Sequence, residues 1–235
     1  MKNTLAIALK ELSGTFKSSK ATIILVITIS VFNVFFYMII DQNREAALRD
    51  MFKLMEFMFV FIIPILTMEI FAEEKRSGTI EFLMTSPITN TAIVFGKYLG
   101  SLAFIFILLA LTGVYYGILE YFGSPDRTAT LAGYLGIYLE GALFVAIGLL
   151  TSSWTRNQLI AAITSYVIIF ALYFSITFVK QLEGQAMLEV IKYIGVWNHA
   201  DHFFTGLFDI SSLIYFLSGI GLCLFLTRIS IENRL

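Results

Sequence analysis

The sequence predicts an all-α polytopic membrane protein with six transmembrane helices, an N-terminal interfacial amphipathic helix, and a short cytoplasmic helix between spans two and three. Three observations lead there. The chain has 235 residues, of which 58% are hydrophobic and 14% charged. Soluble domains run at roughly 45–50% apolar and about 25% charged. Several apolar runs exceed the ~18 residues needed to cross a hydrocarbon core. A dense polar stretch, Ala72-Glu-Glu-Lys-Arg-Ser-Gly-Thr-Ile-Glu81, interrupts those runs.

The chain reads as a single domain, 1–235. Residues 1–20 are an interfacial segment. Leu5, Ile7, Ala8, Leu12 and Phe16 fall toward one side of a helix, and Lys2, Lys10, Lys17 and Lys20 supply basic charge. That pattern suits a helix lying on a leaflet surface, and equally a simple basic anchor. The spans follow at about 21–40, 54–72, 92–119, 130–151, 157–179 and 210–228. The third is longer than a bilayer needs and is expected to tilt or to project. Each must be helical, because lipid offers the backbone no hydrogen-bond partner.

Orientation follows from Lys and Arg. With the N-terminus inside, ten of the 16 basic residues lie on the inner segments and six on the outer ones. The bias favours both termini in the cytoplasm and places 73–91 there too. The outer segment 180–209 is too polar to span and is expected to form one or two short interfacial helices. The tail after 228 returns to the cytoplasm.

The polar stretch has its own local logic. A helix leaves the membrane near Ala72, where Glu73, Glu74, Lys75 and Arg76 can be hydrated. Gly78, next to Ser77, permits a sharp turn, Thr79 can cap a following helix, and Pro87 ends it by restricting Ser86. The product is a short helix, carrying Glu81, that can dock in a groove of a soluble partner and pass on its motion. An ordinary positive-inside loop would look the same from these residues alone.

Several function classes lack their residues. The net charge of -1, with no long basic block, points away from nucleic acid. There is no phosphate-binding loop, since Gly96-Lys97 lacks both the upstream glycine and the hydroxyl residue. The lone Cys223 has no disulfide partner in the chain, and no Cys or His set has zinc-site spacing. His199 and His202, three apart, read as interfacial residues rather than ligands. Glu140, near the middle of span four, is the one sharp intramembrane polar site. A carboxylate there costs on the order of 3 kcal/mol on insertion scales, so it is expected to face protein or water. Its role is open between a cavity-lining, gating or proton-binding group and a packing group. No further buried charge or broken helix is expected.

The run from Pro64 to Ile88 closely resembles the corresponding region of ABC-2 type (type V exporter-like) permeases, nearest to the gliding-motility and NosY-like branch. Leu149-Leu-Thr-Ser-Ser-Trp-Thr-Arg-Asn-Gln158 is similar to that family's junction between spans four and five. His202-Phe-Phe-Thr-Gly-Leu-Phe-Asp-Ile-Ser-Ser-Leu-Ile-Tyr-Phe216 is similar to its approach to span six. The resemblance covers the whole chain. It implies a permease half in a prokaryotic inner (cytoplasmic) membrane, paired with a second copy or a related permease, above two ABC ATP-binding subunits. ATP and Mg would be bound by those partners. The chain itself would hold no cofactor or metal and would not be an enzyme. Carried over, Glu73, Glu74, Lys75, Arg76, Ser77, Gly78, Thr79 and Glu81 become the coupling-helix contact with the ATPase, and the N-terminal helix the connecting helix. Family members often carry a basic residue at the position of Glu69. The resemblance implies export. The gliding-motility likeness keeps open a mechanical or scaffolding complex without solute transport, and Glu140 a proton-coupled secondary transporter.

Overall fold

The computed structural model describes residues 2–43, 47–80, 88–175 and 193–232. Among them every regular element is a helix: α1 Lys2–Lys17, α2 Ser19–Asn43, α3 Arg49–Thr67, α4 Glu69–Ser77, α5 Asn90–Phe122, α6 Arg127–Trp154, α7 Gln158–Tyr173, α8 Val196–Phe204 and α9 Ile210–Glu232. Five stretches are long and apolar enough to cross a membrane: Ser19–Gln42, Arg49–Ser77, Asn90–Phe122, Arg127–Trp154 and Ile210–Glu232. The fifth expected span, 157–179, contains the 16-residue apolar helix α7, and its last residues, 176–179, lie outside the described residues.

Helix α6 is the axis of the bundle. Every residue from 139 to 153 is buried, and α3, α4, α5, α7, α8 and α9 all pack on it. A helix buried all round cannot show an amphipathic stripe. What marks it instead is small residues where neighbours enter. A Cβ at Gly148 would sit 2.6 Å from Thr67 Cβ, and one at Gly136 would sit 2.5 Å from Phe203 Cβ. Asp126 caps the helix start, its carboxylate accepting from the N–H groups of Thr128 and Ala129. The peripheral spans α2 and α9 turn Ile23, Val26, Ile27, Val34, Leu217, Leu222 and Phe225 outward, as lipid-facing helices do. Between α2 and α5, Tyr115 donates to Asn33 at 2.8 Å.

The N-terminal helix has three faces rather than two. Thr4, Ile7, Ala8, Glu11, Leu12 and Thr15 recur at helical spacing and are partly or fully covered. They lie on α5, where Gly96 and Gly100 admit them: a Cβ at Gly100 would lie 2.9 Å from Ala8 O and 2.7 Å from Glu11 Cβ. Leu5, Leu9 and Phe16 form a second, exposed apolar stripe. Lys10, Ser13 and Lys17 form an exposed polar third. The apolar residues expected on one side are thus split between a protein contact and an open face.

Helices α3 and α4 are one long helix with a break at Met68. Pro64 lacks the N–H that would bond Val60 O, and Thr67 Oγ1 turns back to donate to Ile63 O at 2.8 Å. Beyond the break the chain continues as α4, which ends at Gly78 in the left-handed region, φ 74°. Only glycine holds that conformation without strain.

Candidate functional site

The charged part of the Ala72–Glu81 stretch lies in α4, and the structure ties it to every helix around it. Ser152 of α6 sits at the α3–α4 break. Its hydroxyl accepts from Phe71 N and Ala72 N, each at 3.0 Å, and donates to Met68 O at 3.0 Å. One side chain from another helix therefore satisfies two of the amide groups that a helix start leaves unbonded. Lys75 donates to Ser153 O, which also accepts from Ser230 of α9 at 3.2 Å. Glu73 accepts from Gln158 at the head of α7 and pairs with Arg76 at 3.0 Å. Glu69 pairs with Lys20 of α2.

The centre of this joint is Lys97 of α5. Its side chain is 2% exposed. All three ammonium protons are taken: Glu11 of α1 at 2.7 Å, Glu74 of α4 at 2.7 Å, and Ile70 O at 3.1 Å. The Phe71 ring lies beneath, 5.3 Å from Nζ to centroid. A buried charge must be paired and bonded to be tolerated, and here the pairing joins three helices at one atom. The second oxygen of Glu74 is buried and bonds nothing among the described residues. Beside the joint, between α1–α2 and α3–α4, is a cavity of about 280 Å³ whose polar lining includes Glu11, Lys20, Glu69, Glu73 and Glu74.

Among the eight residues carried over from the resemblance, the structure separates two groups. Arg76, Ser77 and Thr79 are exposed at the tip, around Gly78. Glu73, Glu74 and Lys75 are half-buried, and their bonds run inward rather than to water. The expectation that these three would be simply hydrated is corrected. A lysine two turns inside α5 and a serine on α6 draw them in. Thr79 bonds back to Glu74 O at 3.4 Å and to Ser77 at 2.9 Å. Glu81, and the helix expected to follow as far as Pro87, lie outside the described residues.

A second polar cluster lies inside the bundle. Glu140 is fully buried, and so is Glu56 of α3. Neither carboxyl has a hydrogen-bond partner among the described residues. The two helices run in register: α3 puts Phe52 at Gly133, Phe59 at Gly141 and Thr67 at Gly148. Glu56, one turn beyond Phe52, is thereby brought to the level of Glu140. Neither lines the cavity beside the Lys97 joint. The expectation of a lone buried charge and unbroken helices is overturned by Glu56, Lys97 and the break at Met68.

Sequence reasoning missed Lys97, Glu11, Ser152 and Glu56. Lys97 had a signal, as a single cation inside a 33-residue apolar helix. Glu56 had one too, as a carboxylate in the apolar run of span two. Ser152 had none. His199 and His202 do not converge: His199 is buried against Ser212, and His202 is exposed. No group able to hold a metal ion occurs among the described residues.

Comparison with curated proteins gives no match. The family model described as "ABC-2 family transporter protein" matches residues 5–205. That span takes in the three-faced helix, the joint around Lys97 and the Glu56–Glu140 level. The chain belongs to the ABC-2 transporter family, whose members are membrane components of ABC transporters.

Proposed function

We propose that the chain is the permease subunit of an ATP-driven ABC exporter that converts motion of a separate ATPase into alternating access. Six spans cross the inner membrane, with α7 as the start of the fifth and both termini in the cytoplasm. The permease pairs with a second copy or a related permease above two ATP-binding subunits. ATP and Mg bind in those subunits, and this chain carries out no catalysis. The observation that carries the reading is the wiring of α4. Its tip, Arg76 to Thr79, is exposed, and its body is bonded directly to α2, α5, α6 and α7 and through Lys97 to α1. A push on the tip therefore reaches the rest of the bundle through short, oriented bonds. The acidic cavity beside it suits a basic side chain from the partner's surface.

The test is a mild-detergent capture of the tagged chain followed by ATPase and flux measurements in vesicles. Arg76→Glu is expected to lose the co-purifying ATPase while the permease stays folded. Its own stability should change by no more than about 0.5 kcal/mol, as for other exposed positions. Retention of the ATPase and of coupled flux in that variant would remove the tip from the docking surface.

A mechanical complex without solute transport is the second reading. It is favoured by the close packing of the interior, where Glu140 and its neighbours along α6 are buried. ATP-dependent flux of any solute in vesicles of the purified complex would exclude it.

A further inference from the structure

We propose that His199 is a proton-binding site, and that its doubly protonated ring pins α8 to the head of α9. This end of the bundle is opposite the Lys97 joint, because α8 lies over Gly136 and its C-terminal turn over Ala129, near the start of α6. His199 is 7% exposed. Its Nδ1 is 3.0 Å from Ser212 Oγ, and its Nε2 is 2.9 Å from Tyr193 O.

Proton inventory decides the charge. Tyr193 O only accepts, so Nε2 must carry a proton. Ser212 Oγ is 2.7 Å from Asp209 Oδ2, and the same carboxylate accepts from Ser212 N at 3.0 Å and Ser211 N at 3.1 Å. The Ser212 hydroxyl, those amides and His202 hold the Asp209 carboxyl below its usual range, so it is an acceptor only. The single hydroxyl proton of Ser212 therefore points to Asp209. Ser212 Oγ presents a lone pair to His199, and Nδ1 must donate as well. Two donating nitrogens make an imidazolium. A neutral ring would sacrifice either the Ser212–Asp209 bond or the Ser212–His199 bond.

The surroundings fit a cation. The His199 ring stacks on Tyr215 at 4.1 Å between centroids and 15° between planes, and Tyr193 stands edge-on at 5.7 Å. Tyr215 is fixed in turn, donating to Ile194 O at 2.6 Å. Other charged groups sit on the elements around α8. Helix α3 carries Arg49, Asp50, Lys53 and Glu56, with Arg49 bonded to Asp201 of α8 at 3.2 Å. Helices α6 and α7 carry Glu140 and Tyr173, and α8 itself carries His202. Asp209 reaches the ring through Ser212. The doubly protonated ring ties Ser212, and through it Asp209, to α8, which carries the Phe203 that fills Gly136.

The chain has two histidines, so His202→Gln leaves His199 as the sole reporter. Ring-labelled His202→Gln protein in lipid nanodiscs is examined by nitrogen NMR at about pH 7, the range where histidine titrates. Both ring nitrogens are expected to be protonated. Ser212→Ala in the same background is expected to hold the second proton about fivefold more weakly, one hydrogen bond's worth. A bare ring nitrogen in the His202→Gln protein would overturn the proposal. So would an unchanged proton affinity in Ser212→Ala. If Ser212→Ala fails to fold, Asp209→Asn replaces it, with the same expectation.

Discussion

Lys97 and the Glu56–Glu140 level both bury ionisable side chains among the described residues, and they are built in opposite ways. Lys97 is 2% exposed and spends every proton on a partner: two carboxylates and a carbonyl from two other helices. Glu56 and Glu140 are buried as deeply, and their four oxygens meet no donor among the described residues. Burial alone therefore does not tell what a charge is for. A fully bonded charge fixes the positions of the elements that bond it. An unbonded polar group is held in place by its neighbours and contributes nothing to holding them, which is the condition of a group kept for another state or another partner.

The largest expected effect comes from breaking the bonded cluster. Lys97→Met keeps the stem and removes the charge, leaving Glu11 and Glu74 facing each other in a half-buried joint. Removing one partner of a buried pair costs about 3–5 kcal/mol, read as a fall in unfolding free energy in detergent or nanodiscs. Adding Glu11→Gln and Glu74→Gln to the same protein is expected to recover most of that loss, because no uncompensated charge remains. If the triple variant is as unstable as the single one, packing of the lysine stem rather than its charge holds the joint. Ser152→Ala is expected to rank next. It leaves the N–H groups of Phe71 and Ala72 and the carbonyl of Met68 unbonded, at about 1–3 kcal/mol for a buried orphan group. The same variant should let α4 swing on α3, seen as increased amide exchange confined to residues 68–75.

Much of this was legible in the sequence, for identifiable reasons. Spans announce themselves by length and apolarity, and the lone Glu140 in a run of small and apolar residues could not be missed. Glu56 was hidden by a boundary. With span two starting near 54, Glu56 sat at its mouth, where hydration is easy. Helix α3 begins at Arg49, which draws Glu56 two turns inside. Lys97 was counted among the inward positive charges that orient the chain, and nothing in its flanks distinguishes an anchor from a clasp. The centrality of α6 was not legible at all, because lipid-facing and buried spans share one composition. Phe52, Phe203 and Phe59 enter it at Gly133, Gly136 and Gly141. The contacts of α4 depend on Ser152, Ser153 and Gln158, about eighty residues away, which no local pattern reveals.

The smallest expected effect is the one that tests the contrast most directly. Glu140→Leu and Glu56→Leu, singly or together, remove carboxyls that make no hydrogen bond, so no bond is lost. Replacing an unbonded buried polar group with an apolar one of similar size is nearly neutral or stabilising. Unfolding free energy is therefore expected to stay within about 1 kcal/mol of the parent or to rise, against the large fall at Lys97 in the same assay. Coupled flux in vesicles should respond in the reverse order of stability, with the Leu variants stable and impaired. A loss as large as that of Lys97→Met would mean that Glu56 and Glu140 are bonded to groups outside the described residues. They would then be structural in the same sense as the clasp. Stability and flux both unchanged would reduce the pair to packing.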